Sequence, residues 1–154
     1  MTSGASADGG REARTLQLIV RACLCASTIV CGLALRRYGL GVGLPASIVK
    51  YGGSVLWGTM VFFVVAMAAS QRSRSRIALI AAAIAVGVEL FRLVHAPWLD
   101  AFRLTLPGAL LLGRIFSARD MLAYGAGVVL GMGLDRFAIS IVTNVARESP
   151  HSPS

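Results

Sequence analysis

From Tyr51 to Ala69 the chain runs through nineteen residues without a charge, including the string VLWGTMVFFVVAMAA. A helix rises about 1.5 Å per residue and needs roughly 20 apolar residues to cross a hydrocarbon core of about 30 Å. The block therefore has the length of a membrane span, and it is not alone. Apolar blocks also run from about Thr15 to Leu35, from Ile77 (IALIAAAIAVGV) toward His95, and from Met121 to Val142. These blocks predict an all-α integral membrane bundle of four transmembrane helices, at about 15–35, 51–69, 77–95 and 121–142. The membrane domain then occupies 15–143, between a small, polar, glycine-rich tail over 1–14 that reads as disordered and a polar tail over 144–154.

Only 14% of the 154 residues are charged while 56% are hydrophobic, against about 25% charged in soluble domains. The net charge of +8 comes almost wholly from arginine, Lys50 being the only lysine. The arginines stand singly or in short clusters at block ends, with no basic face interleaved with aromatics, so nucleic acid is not the expected partner. Flanking charge of this kind fixes topology and touches anionic lipid headgroups, which makes membrane lipids the expected partners. Cys23, Cys25 and Cys31 all fall within the first block. Their spacing gives neither a zinc site nor a disulfide framework, and neither metal nor cofactor is expected.

The first block is longer than a signal-peptide core of about 7–15 residues and reads as an uncleaved helix, with Arg21 near its start snorkelling to headgroups. Arg36-Arg37-Tyr38 closes it, and GLGVGLP (Gly39 to Pro45) is turn chemistry. A basic loop, Gln71 to Arg76, separates the second and third blocks. His95-Ala96-Pro97-Trp98 ends the third, since proline disfavours helical geometry in the residue before it. Residues 104–116 (LTLPGALLLGRIF) are apolar but too short to span, which suits a re-entrant or interfacial segment. In the last block, Asp135 and Arg136 place the effective end of the membrane helix near Leu134, with the chain continuing at the interface. Four crossings put both termini on one side. The dense charge of the Arg72–Arg76 loop assigns that side to the cytoplasm of an inner membrane.

Glu89 follows about twelve apolar positions. An ionisable group in hydrocarbon costs at least about 2.5–3.5 kcal/mol, so such groups face a bundle interior and find a partner. Arg92, three residues on, is a candidate partner in a structural pair; the functional alternative is a proton-carrying or headgroup-binding carboxylate. His95, Asp100 and Arg103 form a second polar group beside the interface residue Trp98, with Asp100 and Arg103 at helical pairing distance. Asp120 reads as the N-cap of the last helix, one turn before Tyr124. The candidate polar site is therefore Glu89, Arg92, His95, Asp100, Arg103 and Asp120, with Ser54 and Tyr124 at the same end; no catalytic residue is assigned. Ala123, Gly127 and Gly131 repeat every four residues. That stripe serves close helix packing, within the bundle or along a homodimer seam.

The strings Lys50-Tyr51-Gly52-Gly53-Ser54-Val55-Leu56-Trp57 and Val88-Glu89-Leu90-Phe91-Arg92-Leu93, then HAPWLDAFR, GALLLGRIFSARDMLAYGAG and VVLG, resemble domain-of-unknown-function family 2809. These are small bacterial membrane proteins, sometimes labelled YjgA-like in automated naming. The resemblance spans roughly Arg36 to Asp135 and implies a place in the membrane without an established activity. It is also distantly similar to VanZ-like proteins, which share a membrane glutamate followed by an aspartate before the last helix; Glu89 and Asp120 are the matching positions. Where the family pattern has Gly-Asp this chain has Gly53-Ser54, and where it has Glu-x-x-Gln this chain has Glu89-Leu90-Phe91-Arg92. The resemblance thus implies one carboxylate fewer and one arginine more.

The sequence leads to a multi-pass envelope protein, non-enzymatic in the leading reading, binding a lipid or lipid-linked headgroup near the outer leaflet. A small proton-coupled transporter or membrane enzyme using Glu89 is one alternative. A dimer or assembly partner built on the Gly127/Gly131 face is another.

Overall fold

The computed structural model describes residues 3–91, 97–105 and 118–148, and these are helical with no strand among them. In chain order the helices are α1 (Ser3–Tyr38), α2 (Ala46–Ala68), α3 (Arg74–Phe91), a short α4 (Pro97–Leu104) and α5 (Ala118–Glu148).

The helices outrun the apolar blocks. α1 extends to Ser3, through most of the tail expected to be disordered. Nucleating a helix is costly but extending one is not, so a helix fixed by its apolar part propagates into a polar flank. Arg14 anchors this flank, its guanidinium 3.3 Å from the Ser70 hydroxyl in the α2–α3 turn. α2 begins at Ala46, just after Pro45, whose preset φ and missing N–H cost nothing where the first amides have no intrahelical partner. Between α1 and α2 the turn places Gly43 at φ +84°, a conformation that L side chains rarely adopt. α5 runs unbroken through Asp135 to Glu148, past the expected helix end at Val142. The reason is that Asp135 is buried and paired with arginines, so the charge does not stop the helix.

α2 is the central helix, with 44% of its apolar window buried against 17% and 28% in α1 and α5. α1 packs antiparallel on it, Gly32, Gly52 and Gly39 bringing the backbones close to Leu56, Leu35 and Val49 respectively. α5 packs on α2 in the same direction, as the pairs Lys50–Asp120, Trp57–Tyr124 and Thr59–Gly127 advance together. This seam is tight. A Cβ on Gly127 would collide with the Val55 carbonyl, and one on Gly131 would lie 2.9 Å from the Phe62 ring. The Thr59 hydroxyl, 2.8 Å from the Gly127 carbonyl, adds an interhelical hydrogen bond. Ala123, Gly127 and Gly131 are buried, and the two glycines lie against α2 of the same chain, so this seam is intramolecular.

α3 buries Ile77, Ala81, Ala85 and Glu89, one residue every four, and lies along α2 and α5. Among the described residues α1 and α3 do not touch, so they flank the α2–α5 pair on opposite sides. The core gathers Phe62, Phe63, Val65, Ala66, Ile77, Ala81 and Val128. The periphery is apolar, with Ile19, Val30, Leu79, Leu122, Val129 and Phe137 all at least half exposed. A surface of this composition calls for lipid rather than water.

Among the described residues three helical stretches are long and apolar enough to cross a membrane: Arg11–Tyr38, Ala46–Ala68 and Arg119–Val142. The expected count was four. α3 has 18 residues, but Arg74, Arg76 and Glu89 give it three charges. Of the segment expected to re-enter the bilayer, 104–116, residues 106–116 lie outside the described residues.

Candidate functional site

Polar side chains are buried at both ends of the bundle. At the end holding the α2–α3 turn, the Asp135 carboxylate is fully buried. Arg21 of α1 donates to it through Nε at 2.7 Å and through a terminal nitrogen at 3.2 Å. The other terminal nitrogen of Arg21 donates to the Ala66 carbonyl of α2 at 2.9 Å. Arg74, the first residue of α3, donates its Nε to the second carboxylate oxygen at 2.9 Å. One carboxylate thus ties four helices together. Arg21, expected to snorkel, is 5% exposed and turned inward. It turns inward because Asp135 and the Ala66 carbonyl offer it acceptors inside the bundle.

The opposite end carries Glu89 and Asp120 of the residues singled out in the sequence, with Ser54 and Tyr124. Glu89 on α3 is fully buried and Asp120 on α5 is 5% exposed. Arg74 touches Asp135; Glu89 lies fifteen residues beyond Arg74 and Asp120 fifteen before Asp135. α3 follows α2 through a short turn and so runs opposite to α5, and fifteen residues rise about 22 Å on each. Glu89 and Asp120 therefore sit at one level. Lys50 on α2, largely exposed, brings its Nζ 4.0 Å from Asp120, and also lies over the Tyr51 ring. Ser54 is buried on α2, its hydroxyl 3.3 Å from the Lys50 carbonyl. Tyr124 is buried against Trp57, with ring centroids 4.9 Å apart. Asp120 falls inside the first turn of α5 rather than at the expected N-cap, where its charge complements the positive end of the helix.

The family described as "Protein of unknown function (DUF2809)" matches residues 43–128. The chain belongs to this family. The match takes in α2, α3, α4 and the first third of α5, hence Lys50, Ser54, Glu89, Asp120 and Tyr124. It leaves out Arg21 and Asp135, so the clasp at the other end joins two residues outside the DUF2809 region to Arg74 within it. No solved structure matches the chain.

Of the remaining candidates, Asp100 and Arg103 fall on α4, while Arg92 and His95 lie outside the described residues. The expected Glu89–Arg92 pair lies outside them as well. Among the described residues no group of three or more His, Cys, Asp or Glu is placed to hold a metal ion. The clasp was missed in the sequence. Its signal was a charge count: one acid inside the last apolar block, with single arginines inside or at the edge of two others.

Proposed function

We propose that this DUF2809 protein is a multi-pass protein of the bacterial cytoplasmic membrane in which α3 crosses as well. The proposed role is to receive the polar headgroup of a lipid or lipid-linked molecule at the Glu89/Asp120 end. The fourth crossing is supported by direction. α2 and α5 run the same way, so a chain crossing in both must return between them, and α3 lies alongside in the opposite sense. Its 18 residues cover about 27 Å, and its outward positions Leu79, Ile80, Ile84, Val86 and Leu90 are exposed and apolar. Of its charges, Glu89 is fully buried and Arg74, half-exposed, reaches in to the buried Asp135. With the arginine-rich turn and both termini assigned to the cytoplasm, the Glu89/Asp120 end faces the outer leaflet.

The observation that carries the headgroup reading is the burial of two carboxylates at one level, with the exposed ammonium of Lys50 4.0 Å from Asp120. Carboxylates are costly at membrane depth, and the polar groups of a headgroup would extend the hydrogen bonding already present at this end. The test is the lipid profile that co-purifies with wild type, Glu89→Gln and Asp120→Asn proteins in a mild detergent. A lipid class enriched on wild type and depleted on both variants is expected. Identical profiles would sink the reading.

The same pair of carboxylates supports a second reading, a proton carrier or membrane enzyme using Glu89. Proton flux in proteoliposomes that falls in Glu89→Gln is its expected signature; flux equal to that of empty vesicles removes it.

A further inference from the structure

We propose that the bundle corner at the α2–α3 turn binds the phosphate of an anionic phospholipid, with Arg74 as the central ligand. The proposal rests on the membrane reading but not on the headgroup site at the other end. Arg74 gives only its Nε to Asp135. An arginine has five N–H donors in a planar fork, so its terminal nitrogens keep four. Its side chain is 42% exposed while the carboxylate holding it is fully buried. A guanidinium anchored on its inner edge and open on its outer edge is preorganised for bidentate phosphate binding, which a freely snorkelling arginine is not.

The neighbours extend the site. Arg72 and Arg76, both exposed, flank Arg74 in sequence. Arg14 reaches over from α1 and is held at the same turn by the Ser70 hydroxyl at 3.3 Å. With the Gln71 amide oxygen turned toward it, Arg14 also donates to that oxygen at 2.9 and 3.2 Å. Four arginines from two chain segments thus stand in or beside this turn, with Arg14 and Arg74 held by the contacts named. The turn follows directly on a membrane-length helix, so this corner lies at headgroup depth. Among the described residues Asp135 is the one acid paired with these arginines, and Arg21 already neutralises it. The occupant that fits is the phosphodiester of phosphatidylglycerol or a related anionic lipid in the same leaflet.

The experiment titrates short-chain phosphatidylglycerol, and phosphatidylcholine of equal chain length, into the purified full-length protein in detergent. Bound lipid is counted by native mass spectrometry and Tm is followed in parallel. Wild type is expected to bind phosphatidylglycerol in preference to phosphatidylcholine and to gain Tm with it. Arg74→Lys keeps a cation for Asp135 but loses the fork, and should bind about tenfold more weakly, the worth of one charge-assisted hydrogen bond. Arg14→Gln removes a charge at an exposed contact and should weaken binding several-fold with only a small loss of lipid-free Tm. That variant keeps the test decisive if Arg74→Lys misfolds. Equal uptake of the two lipids, wild-type affinity in Arg14→Gln, or the same Tm gain from glycerol phosphate alone would each overturn the proposal.

Discussion

Asp135 accepts hydrogen bonds from two arginines on two other helices, and one of these, Arg21, also reaches a third helix. Burying such a group is tolerable only while its partners stay, because removing one leaves an uncompensated charge in a medium that cannot solvate it. Asp135→Asn should therefore destabilise the bundle by about 3–5 kcal/mol, most of it from the stranded Arg21. The Arg74 pair contributes less, since water and headgroups screen a half-exposed guanidinium. The double variant Arg21→Met/Asp135→Leu should recover much of that loss, because a matched apolar pair strands nothing. Denaturant unfolding in micelles across this cycle checks it, and a double variant as unstable as Asp135→Asn would contradict the argument. None of this was legible locally. Arg21 and Asp135 are 114 positions apart, and each alone reads as an interfacial charge. Glu89 was legible because its surroundings in sequence are apolar on both sides. Its level with Asp120 was not, because that depends on the opposite directions of α3 and α5.

The seam between α2 and α5 is where a single methyl group has the largest effect. A Cβ at Gly127 meets the Val55 carbonyl, a backbone atom that cannot swing away. Gly127→Ala should cost about 1–3 kcal/mol by pushing the helices apart, the range for overpacking a tight core. Gly125 and Gly133 on the same helix have open space at their Cβ positions. Gly125→Ala and Gly133→Ala should be neutral or stabilising by up to about 1 kcal/mol, since alanine suits a helix better than glycine. Thermal unfolding of the three variants separates the seam from the outer face. Equal losses would mean that helix propensity, not contact, governs the site. The four-residue spacing of Ala123, Gly127 and Gly131 identified the packing stripe, and the apolar blocks located every long helix. Spacing alone left open whether the stripe met a second copy or the same chain, because small residues permit close approach without naming the partner. Helix ends were misjudged by several residues for a related reason: polar flanks continue a helix that is nucleated and anchored elsewhere.

For the whole molecule, the alternation of helix directions makes the membrane reading testable residue by residue. In a background with Cys23→Ala, Cys25→Ala and Cys31→Ala, single cysteines report which side of the membrane each turn occupies. Val42→Cys probes the α1–α2 turn, where the native side chain is 72% exposed. Ser73→Cys probes the exposed α2–α3 turn, and Thr105→Cys the exposed position just after α4. With a membrane-impermeant maleimide, intact spheroplasts should label Val42→Cys and Thr105→Cys, and inverted vesicles should label Ser73→Cys. That pattern requires crossings in both α2 and α3. If Thr105→Cys labels with Ser73→Cys instead, α3 does not cross, and its inward charges then mark a helix lying against the bundle from one side. The fully reversed pattern would keep four crossings but turn the molecule over. Glu89 and Asp120 would then face the cytoplasm, and any headgroup they receive would come from the inner leaflet.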